Sequence, residues 1–461
     1  MAESLWSSAD IARATSGRAS GRDFLANGVS IDSRDVAPGD LFVALSDQRD
    51  GHEFIPAALE AGAAGSLTSR PAPGPMIVVG DTLKALADLG VAARERAKTA
   101  RRGAVTGSVG KTSVTQAVLA GLKLAGDAHG SVKSFNNHIG VPLTLARMPR
   151  TTRRAVFEMG MNHAGEIAPL SRLVRPHVAA VTNVEAVHVE NFPDGEAGVA
   201  KAKAEIFTGL ETGGAAILNA DNAWTEELAV AAKARGGQVR TFGAAASADA
   251  QLIRFSATPD GAEVKSRIDG APFDYTLRQS APHWGPMSLC AMLVLLALDL
   301  DLALAARALA TFEPLAGRGV SKTVAGPRGA FTLIDESFNA SPVSVTAALA
   351  ALGARPVAGR RIAVLTDMLE LGADAPARHA ALAETIEKAD IDIVFCAGPM
   401  MRSLWEALPR GRQGAWAPSA ADLAPALADA VDAGDTVMIK GSKASRASLL
   451  VESLAAMSEV A

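Results

Sequence analysis

Short apolar runs closed by turn residues alternate along this chain with longer helical stretches. Near the start, Val29-Ser30-Ile31 reads as a strand running into the turn Asp32-Ser33-Arg34, and Leu41-Phe42-Val43-Ala44-Leu45 follows the turn Ala37-Pro38-Gly39-Asp40. Residues 49–54 lead into a helix ending at Gly62, Met76-Ile77-Val78-Val79 is a further strand, and residues 82–98 are helical. The run Gly103-Ala104-Val105 then gives way to a Gly/Ser turn and the helical Val114-Thr115-Gln116-Ala117-Val118-Leu119-Ala120. Ala155-Val156-Phe157-Glu158-Met159 and Val178-Ala179-Ala180-Val181-Thr182-Asn183 read as buried strands, residues 198–210 as a helix and residues 288–312 as two core helices. Near Gly317-Arg318 the pattern restarts, with strands at Phe331-Thr332-Leu333-Ile334-Asp335, Arg361-Ile362-Ala363-Val364-Leu365, Asp392-Ile393-Val394-Phe395-Cys396 and Thr436-Val437-Met438-Ile439-Lys440, separated by Ala-rich helices.

Strand and helix alternating at this spacing give parallel sheets. The expected fold class is α/β in three domains: a small α/β domain over residues 1–98, a central P-loop ATPase-like parallel sheet over 99–313, and a C-terminal Rossmann-like parallel sheet over 314–461. At 461 residues the chain exceeds one core. A formal net charge of −4 gives no bulk attraction for nucleic acid. Arg94, Arg96, Lys98, Arg101 and Arg102 form a basic run, expected to be a solvated linker face. Two cysteines, Cys290 and Cys396, lie in apolar runs far apart, which suits a reducing compartment and excludes a Cys-based zinc site. The longest apolar run, residues 289–298, falls well short of the ~20 residues that a membrane span takes. No membrane insertion, a cytoplasmic location and a monomer are expected.

The chemistry starts at Thr106-Gly107-Ser108-Val109-Gly110-Lys111-Thr112-Ser113. Between a strand and a helix, such a turn points backbone N–H groups at phosphate oxygens, and the helix start adds partial positive charge. Lys111 would reach the β/γ-phosphates and the Thr112 hydroxyl would ligate Mg²⁺. The general P-loop has glycine five places before Gly110, where this chain has Val105, so this is a narrower variant. Glu158 ends an apolar strand, where a carboxylate is costly unless paired or bound to a cation, and with Thr112 it would complete a Mg²⁺ site. His188 stands just beyond the second strand; by itself such a histidine is as readily a hydrogen-bonded loop residue. Lys201 and Lys203 are two apart on a helix, so at most one points into a site.

These residues resemble the Mur ligases, the ATP-dependent amide-forming enzymes of peptidoglycan precursor synthesis. The resemblance spans nearly the whole chain. It rests on Asp32-Ser33-Arg34, residues 38–45, Asp50-Gly51-His52, residues 106–113, Asn136-Asn137, residues 139–142, Glu158-Met159-Gly160, Gly165-Glu166-Ile167, Thr182-Asn183, His188, residues 202–207, Gly317-Arg318, Asp335, Asn339-Ala340, residues 367–372 and Lys440-Gly441-Ser442. Residues 136–142 and 367–372 point to the branch that adds D-alanyl-D-alanine to UDP-N-acetylmuramoyl-tripeptide through an acyl phosphate. The resemblance implies that Ser33, Arg34, Asp50, His52, Asn136, Asn137 and Asn183 bind substrate. It implies that residues 107–113 (Gly107, Ser108, Val109, Gly110, Lys111, Thr112, Ser113) with Arg318 and Asn339 bind ATP. Lys111, Glu158, His188 and Lys203 would be catalytic. Thr112, Glu158, His188 and Lys203, the last as a carbamate, would hold Mg²⁺; carbamylation turns a cation into an anion that can ligate metal. The chain departs from the family pattern at Glu336, Phe338, Ser341, Lys133-Ser134-Phe135, Trp284 and Thr366, and β-branched Thr366 stands where a left-handed turn would be strained. Two other readings stay open: a related ligase with a different amine acceptor, and a nucleotide-binding protein that makes no amide.

Overall fold

The computed structural model describes residues 4–46, 49–132, 134–186, 189–258 and 260–459. The chain divides into two compact units. The first is drawn from residues 1–184, 200–251 and 288–308, the second from residues 185–199, 252–287 and 309–461.

In the first unit, β1 (Arg18–Ser20), β2 (Gly28–Ser30), β3 (Asp40–Val43), β4 (Gly65–Thr68) and β5 (Met76–Val78) form a sheet in the order β1-β5-β4-β3-β2. Only β1 runs antiparallel. Leu41, Phe42, Val43, Leu67 and Ile77 are buried, and Phe42 packs with Ile55 and Ala58 of the short helix α1 (Ile55–Glu60). A longer helix, α2 (Thr82–Arg96), starts at Asp81, whose carboxylate accepts the N–H groups of Leu83 and Lys84.

The same unit holds the central sheet. Its strands are β6 (Arg101–Thr106), β7 (Ala128–Gly130), β8 (Arg154–Glu158), β9 (Val178–Val181), β10 (Ala215–Asn219) and β11 (Gln238–Gly243). All are parallel, in the order β7-β8-β6-β9-β10-β11. Helix α3 (Lys111–Leu124) follows β6, α4 (Gly140–Ala146) precedes β8, α5 (Ile167–Val174) follows it, and α6 (Glu196–Ala204) comes after β9. The chain leaves β6 for β7 on one side and pairs it with β9 on the other. The carboxyl end of β6 is therefore a topological switch point, where ligands of open parallel sheets gather.

The second unit contains the antiparallel ribbon β12 (Gly261–Ile268) and β13 (Ala271–Leu277). Its main sheet comprises β14 (Val320–Gly326), β15 (Gly329–Glu336), β16 (Arg361–Thr366), β17 (Ile393–Ala397), β18 (Gln413–Ala417) and β19 (Thr436–Lys440), in the order β14-β15-β19-β16-β17-β18. Both faces are covered, as the continuous apolar strands require. Ala363 and Leu365 meet Val345, Leu349 and Leu352 of α7 (Pro342–Gly353), while Ile362 and Val364 meet Leu423 and Leu427 on one helix and Leu450 and Leu454 on another. The helix after β15 lies on one face and the helix after β19 on the other, so these neighbouring strands part at their carboxyl ends and leave a second switch point.

One expectation changes. The basic run is not a solvated face. Arg94 and Arg102 are buried, and only Lys98 among the five is exposed. Arg94 donates to the carbonyls of Arg172 and Leu173, Arg96 to those of Leu5 and Met148, Arg101 to Ala297, and Arg102 to Val174, Arg175 and Ala100. These guanidiniums satisfy carbonyls at helix and strand ends that would otherwise be orphaned, and burial pulls Arg102 down to about 10. Thr366 avoids the strain because the turn differs. It ends a strand in extended backbone, its hydroxyl bonded to Ser445 Oγ at 2.5 Å, and the left-handed position falls instead at Glu370, φ +64°. The expected pair of thiols is buried and free, with desolvation pushing both well up. No helix among the described residues is long and apolar enough to cross a membrane.

Candidate active site

Three parallel strands of the first sheet deliver polar loops to one edge. After β2, Asp32 caps the turn holding Ser33 and Arg34, accepting Arg34 N–H at 3.0 Å and gripping its guanidinium through Nε at 2.9 Å and Nη2 at 2.5 Å. Arg34 holds the Asp32 carboxyl down to about 2. After β3, Gly51 turns the loop back so tightly that a Cβ would sit 2.3 Å from Leu45 O. This places Asp50 Oδ1 2.6 Å from His52 Nδ1. After β4, Ser69 N–H donates to His52 Nε2 at 3.0 Å, and Arg70 Nη2 reaches Asp50 Oδ2 at 2.6 Å. The sequence pointed to Asp50 and His52 but not to Ser69 and Arg70. Their strand, Gly65-Ser66-Leu67-Thr68, carries too little apolar pattern to be read.

The central sheet builds the phosphate cradle. Gly107, at φ +150°, lies where a Cβ would stand 1.8 Å from Thr182 Oγ1, and Gly110, at φ +85°, sits at the start of α3. Both positions require glycine. The loop is held from the end of β9: Thr182 Oγ1 donates to Val109 O at 2.6 Å, Asn183 Oδ1 accepts Val109 N–H at 2.9 Å, and Ser108 N–H donates to Asn183 O at 3.0 Å. Asn183 thus shapes the loop floor. Lys111 Nζ donates to Gly107 O at 2.7 Å, and Thr112 and Ser113 are buried in the first turn of α3.

Glu158 ends β8 opposite Val105, one strand from the cradle, and is 1% exposed. Asn136 Nδ2 donates to its Oε1 at 2.7 Å, and Ser131 Oγ accepts the Glu158 N–H at 3.0 Å. Its other oxygen, Oε2, is buried with no partner among the described residues. A buried carboxylate oxygen without a donor costs stability. Beside a P-loop Thr112, that oxygen fits a divalent cation. Asn137 Oδ1 accepts the N–H groups of Ile139 and Gly140 at the start of α4. Of the two lysines on α6, Lys201 is exposed and Lys203 is buried at 3%. Two residues on, the Glu205 carboxylate accepts the N–H groups of Gly165, Ile167 and Ala168 at the start of α5. His188 lies outside the described residues.

In the second unit, Gly317 N–H donates to Asp335 Oδ2 at 2.9 Å and Arg318 stacks over the Phe338 ring at 4.1 Å. Phe338, one of the departures from the family pattern, thus offers its ring face to a cation. At the switch point, Lys440 Nζ bridges Glu336 Oε2 at 3.3 Å and Asn339 O at 3.0 Å. A cavity of about 320 Å³ next to this pair is lined by His283, Trp284, Arg318, Glu336, Leu352 and Arg355, among others. Trp284 rests on Phe312 at 5.8 Å, and burial pushes His283 down, which leaves a neutral ring facing the cavity. The lining suits a flat ring with polar edges.

Sequence comparison gives these features a common context. The Mur ligase family catalytic domain matches residues 26–100, the Mur ligase middle domain residues 105–295, and the Mur ligase glutamate ligase domain residues 322–443. The UDP-N-acetylmuramoyl-tripeptide–D-alanyl-D-alanine ligase of Escherichia coli (strain K12) is 36% identical over 392 residues, 84% of this chain and 85% of that protein. The ligase of the same name from Rickettsia prowazekii is 30% identical over 431 residues, covering 92% and 94%. Among solved structures, MurF from Acinetobacter baumannii superposes with a TM-score of 0.85 at 26% identity, over 97% of this chain and 98% of that one. With three successive domains of one family along its length and relatives matched nearly end to end, this chain belongs to the Mur ligase family.

Proposed function

We propose that this protein joins D-alanyl-D-alanine to UDP-N-acetylmuramoyl-tripeptide while converting ATP to ADP and phosphate, a step in peptidoglycan precursor synthesis in the cytoplasm. It acts as a monomer on small-molecule substrates. Residues 1–98 hold the sugar nucleotide, at the edge built by Ser33, Arg34, Asp50 and His52. Residues 99–313 bind the ATP phosphates in the Gly107–Ser113 turn, with Asn136, Asn137 and Asn183 toward the peptide substrate. Residues 314–461 take the dipeptide and part of the nucleotide, through Arg318 and Asn339. The observation that carries this reading is the orphaned Glu158 Oε2 beside a P-loop.

In the first step a carboxylate oxygen of the tripeptide attacks the γ-phosphorus, the bond to the β-phosphate oxygen breaks, and ADP leaves. The dipeptide amine then attacks the acyl phosphate carbonyl and loses a proton, and inorganic phosphate departs. Lys111, released from Gly107 O, turns its ammonium to charge growing on the transferred group. Thr112 and Glu158 would hold Mg²⁺, and His188 with carbamylated Lys203 would hold a second ion; such ions would supply positive charge that offsets the phosphate oxygens. Lys203 is buried, and its reaction with CO₂ would consume the neutral amine.

The test is product mass after incubation with ATP, Mg²⁺, UDP-N-acetylmuramoyl-tripeptide and D-alanyl-D-alanine. The expected product is the pentapeptide-bearing nucleotide with one phosphate released per amide. Phosphate release only with a single amino acid would assign a different acceptor, and ATP binding with no amide under any acceptor would refute the ligase.

A further inference from the structure

The edge formed by β2, β3 and β4 holds a relay whose chemistry can be read atom by atom. A peptide N–H can only donate, so the Ser69 N–H at 3.0 Å fixes His52 Nε2 as an acceptor. The His52 proton therefore sits on Nδ1 and goes to Asp50 Oδ1 at 2.6 Å. The His52 side chain is only 4% exposed and both its nitrogens are engaged, so little of it remains for a ligand. Asp50 uses its second oxygen on Arg70. Arg70 itself is 58% exposed, and one of its five N–H donors faces Asp50. Arg34 is presented by Asp32 in the same manner after the neighbouring strand. Arg49 lies close enough to Asp32 to favour its charged form.

We propose that Arg70 is a binding residue for the sugar nucleotide, its guanidinium donating to the diphosphate, and that Asp50 and His52 are positioning residues that aim it. This rests on the assignment of residues 1–98 to the sugar nucleotide. A guanidinium presents a planar fork that matches phosphate oxygens. Held by Asp50, it enters binding with little rotamer freedom left to lose. Asp32 offsets Arg34 and Asp50 offsets Arg70, so recognition comes from directed donors. Any residue but proline would supply that N–H; the serine adds its hydroxyl, whose Oγ also lies 3.0 Å from His52 Nε2.

The experiment compares the full-length protein with Arg70→Ala, Arg70→Lys and Asp50→Asn, using calorimetry with UDP and with uridine, and steady-state kinetics with the complete substrates. Loss of one charge-assisted hydrogen bond weakens binding by about 10- to 100-fold. Arg70→Ala is expected to weaken UDP and raise KM for the sugar nucleotide by that factor, with kcat changed less than about threefold. Uridine, which has no phosphate, should bind as before. Arg70→Lys should recover part of the loss, and Asp50→Asn should show a smaller loss of the same kind. UDP binding by Arg70→Ala equal to the parent, or an equal loss for uridine, overturns the proposal while leaving the domain assignment intact. Failure of the parent to bind any UDP-bearing ligand removes both.

Discussion

Substituting Glu158 by Gln separates stability from chemistry. Glu158 Oε2 is buried without a donor among the described residues, one strand from the P-loop. Gln preserves the side chain's shape and its acceptor for Asn136 Nδ2, and removes the charge. An unsatisfied buried polar atom costs about 1–3 kcal/mol, more when charged, and because Gln leaves an amide NH₂ in the same place only the excess cost of the charge is relieved. Relief of about 2 kcal/mol should raise the melting temperature by about 4–8 °C for a cooperative unit of 150–250 residues. The same change removes a carboxylate proposed to hold cation, so amide formation should fall by at least about 10²-fold, the scale for loss of one electrostatic contact to transferring charge. Scanning calorimetry in chelator, beside phosphate release with the complete substrates, reads both effects. The parent should also gain more melting temperature from Mg²⁺ and ATP than Glu158→Gln does. A variant that melts below the parent in chelator, or that retains activity within tenfold, would refute the reasoning, since Glu158 would then be an ordinary satisfied carboxylate.

Further outcomes are expected elsewhere in the molecule. Lys203→Ala should lose ligation and regain part of it with added short-chain carboxylates; full activity without them would remove the carbamate. Gly107→Ala should abolish ATP binding in equilibrium dialysis, because the new Cβ falls 1.8 Å from Thr182 Oγ1 at a left-handed φ. His129 donates Nε2–H to Thr144 O and burial lowers it to about 4, so below about pH 6.5 the unfolded chain takes up a proton that the folded one refuses. Stability from this group is complete above about pH 6.5 and is lost as pH falls toward 4, about 2 kcal/mol between pH 7 and pH 5. Urea melts of the parent and His129→Gln should show that difference, and parallel pH curves would contradict it.

Much of the frame was legible because it is written in apolar runs. The strands ending at Thr106, Glu158 and Val181, and those from Arg361, Ile393 and Thr436, lie in the second and third sheets where their unbroken Val/Ile/Leu/Ala content put them. Other strands escaped reading for physical reasons. Ala215–Asn219 is mostly small residues, and Gly261–Ile268 alternates buried and exposed positions with charges on its solvent face. At the site, the P-loop residues were legible from their spacing and Glu158 from its place at a strand end. Ser131, Ser69 and Arg70 were not, because a hydrogen bond across strands leaves no mark in local sequence. The basic run was misread for a related reason: sequence shows five positive charges and hides the carbonyls they face.

Glu205 gives the placement of Lys203 an external reference. Because three amides at the head of α5 close on its carboxylate, the final turn carrying Lys203 is pinned to another helix only two residues downstream. An insertion or deletion between the two would break this tether or rotate the amine away from its present burial. Altering the tether alone would loosen the aim of an unaltered lysine. The spacing Lys-Ala-Glu thus works as a ruler, and any redesign around the buried amine has to keep its length.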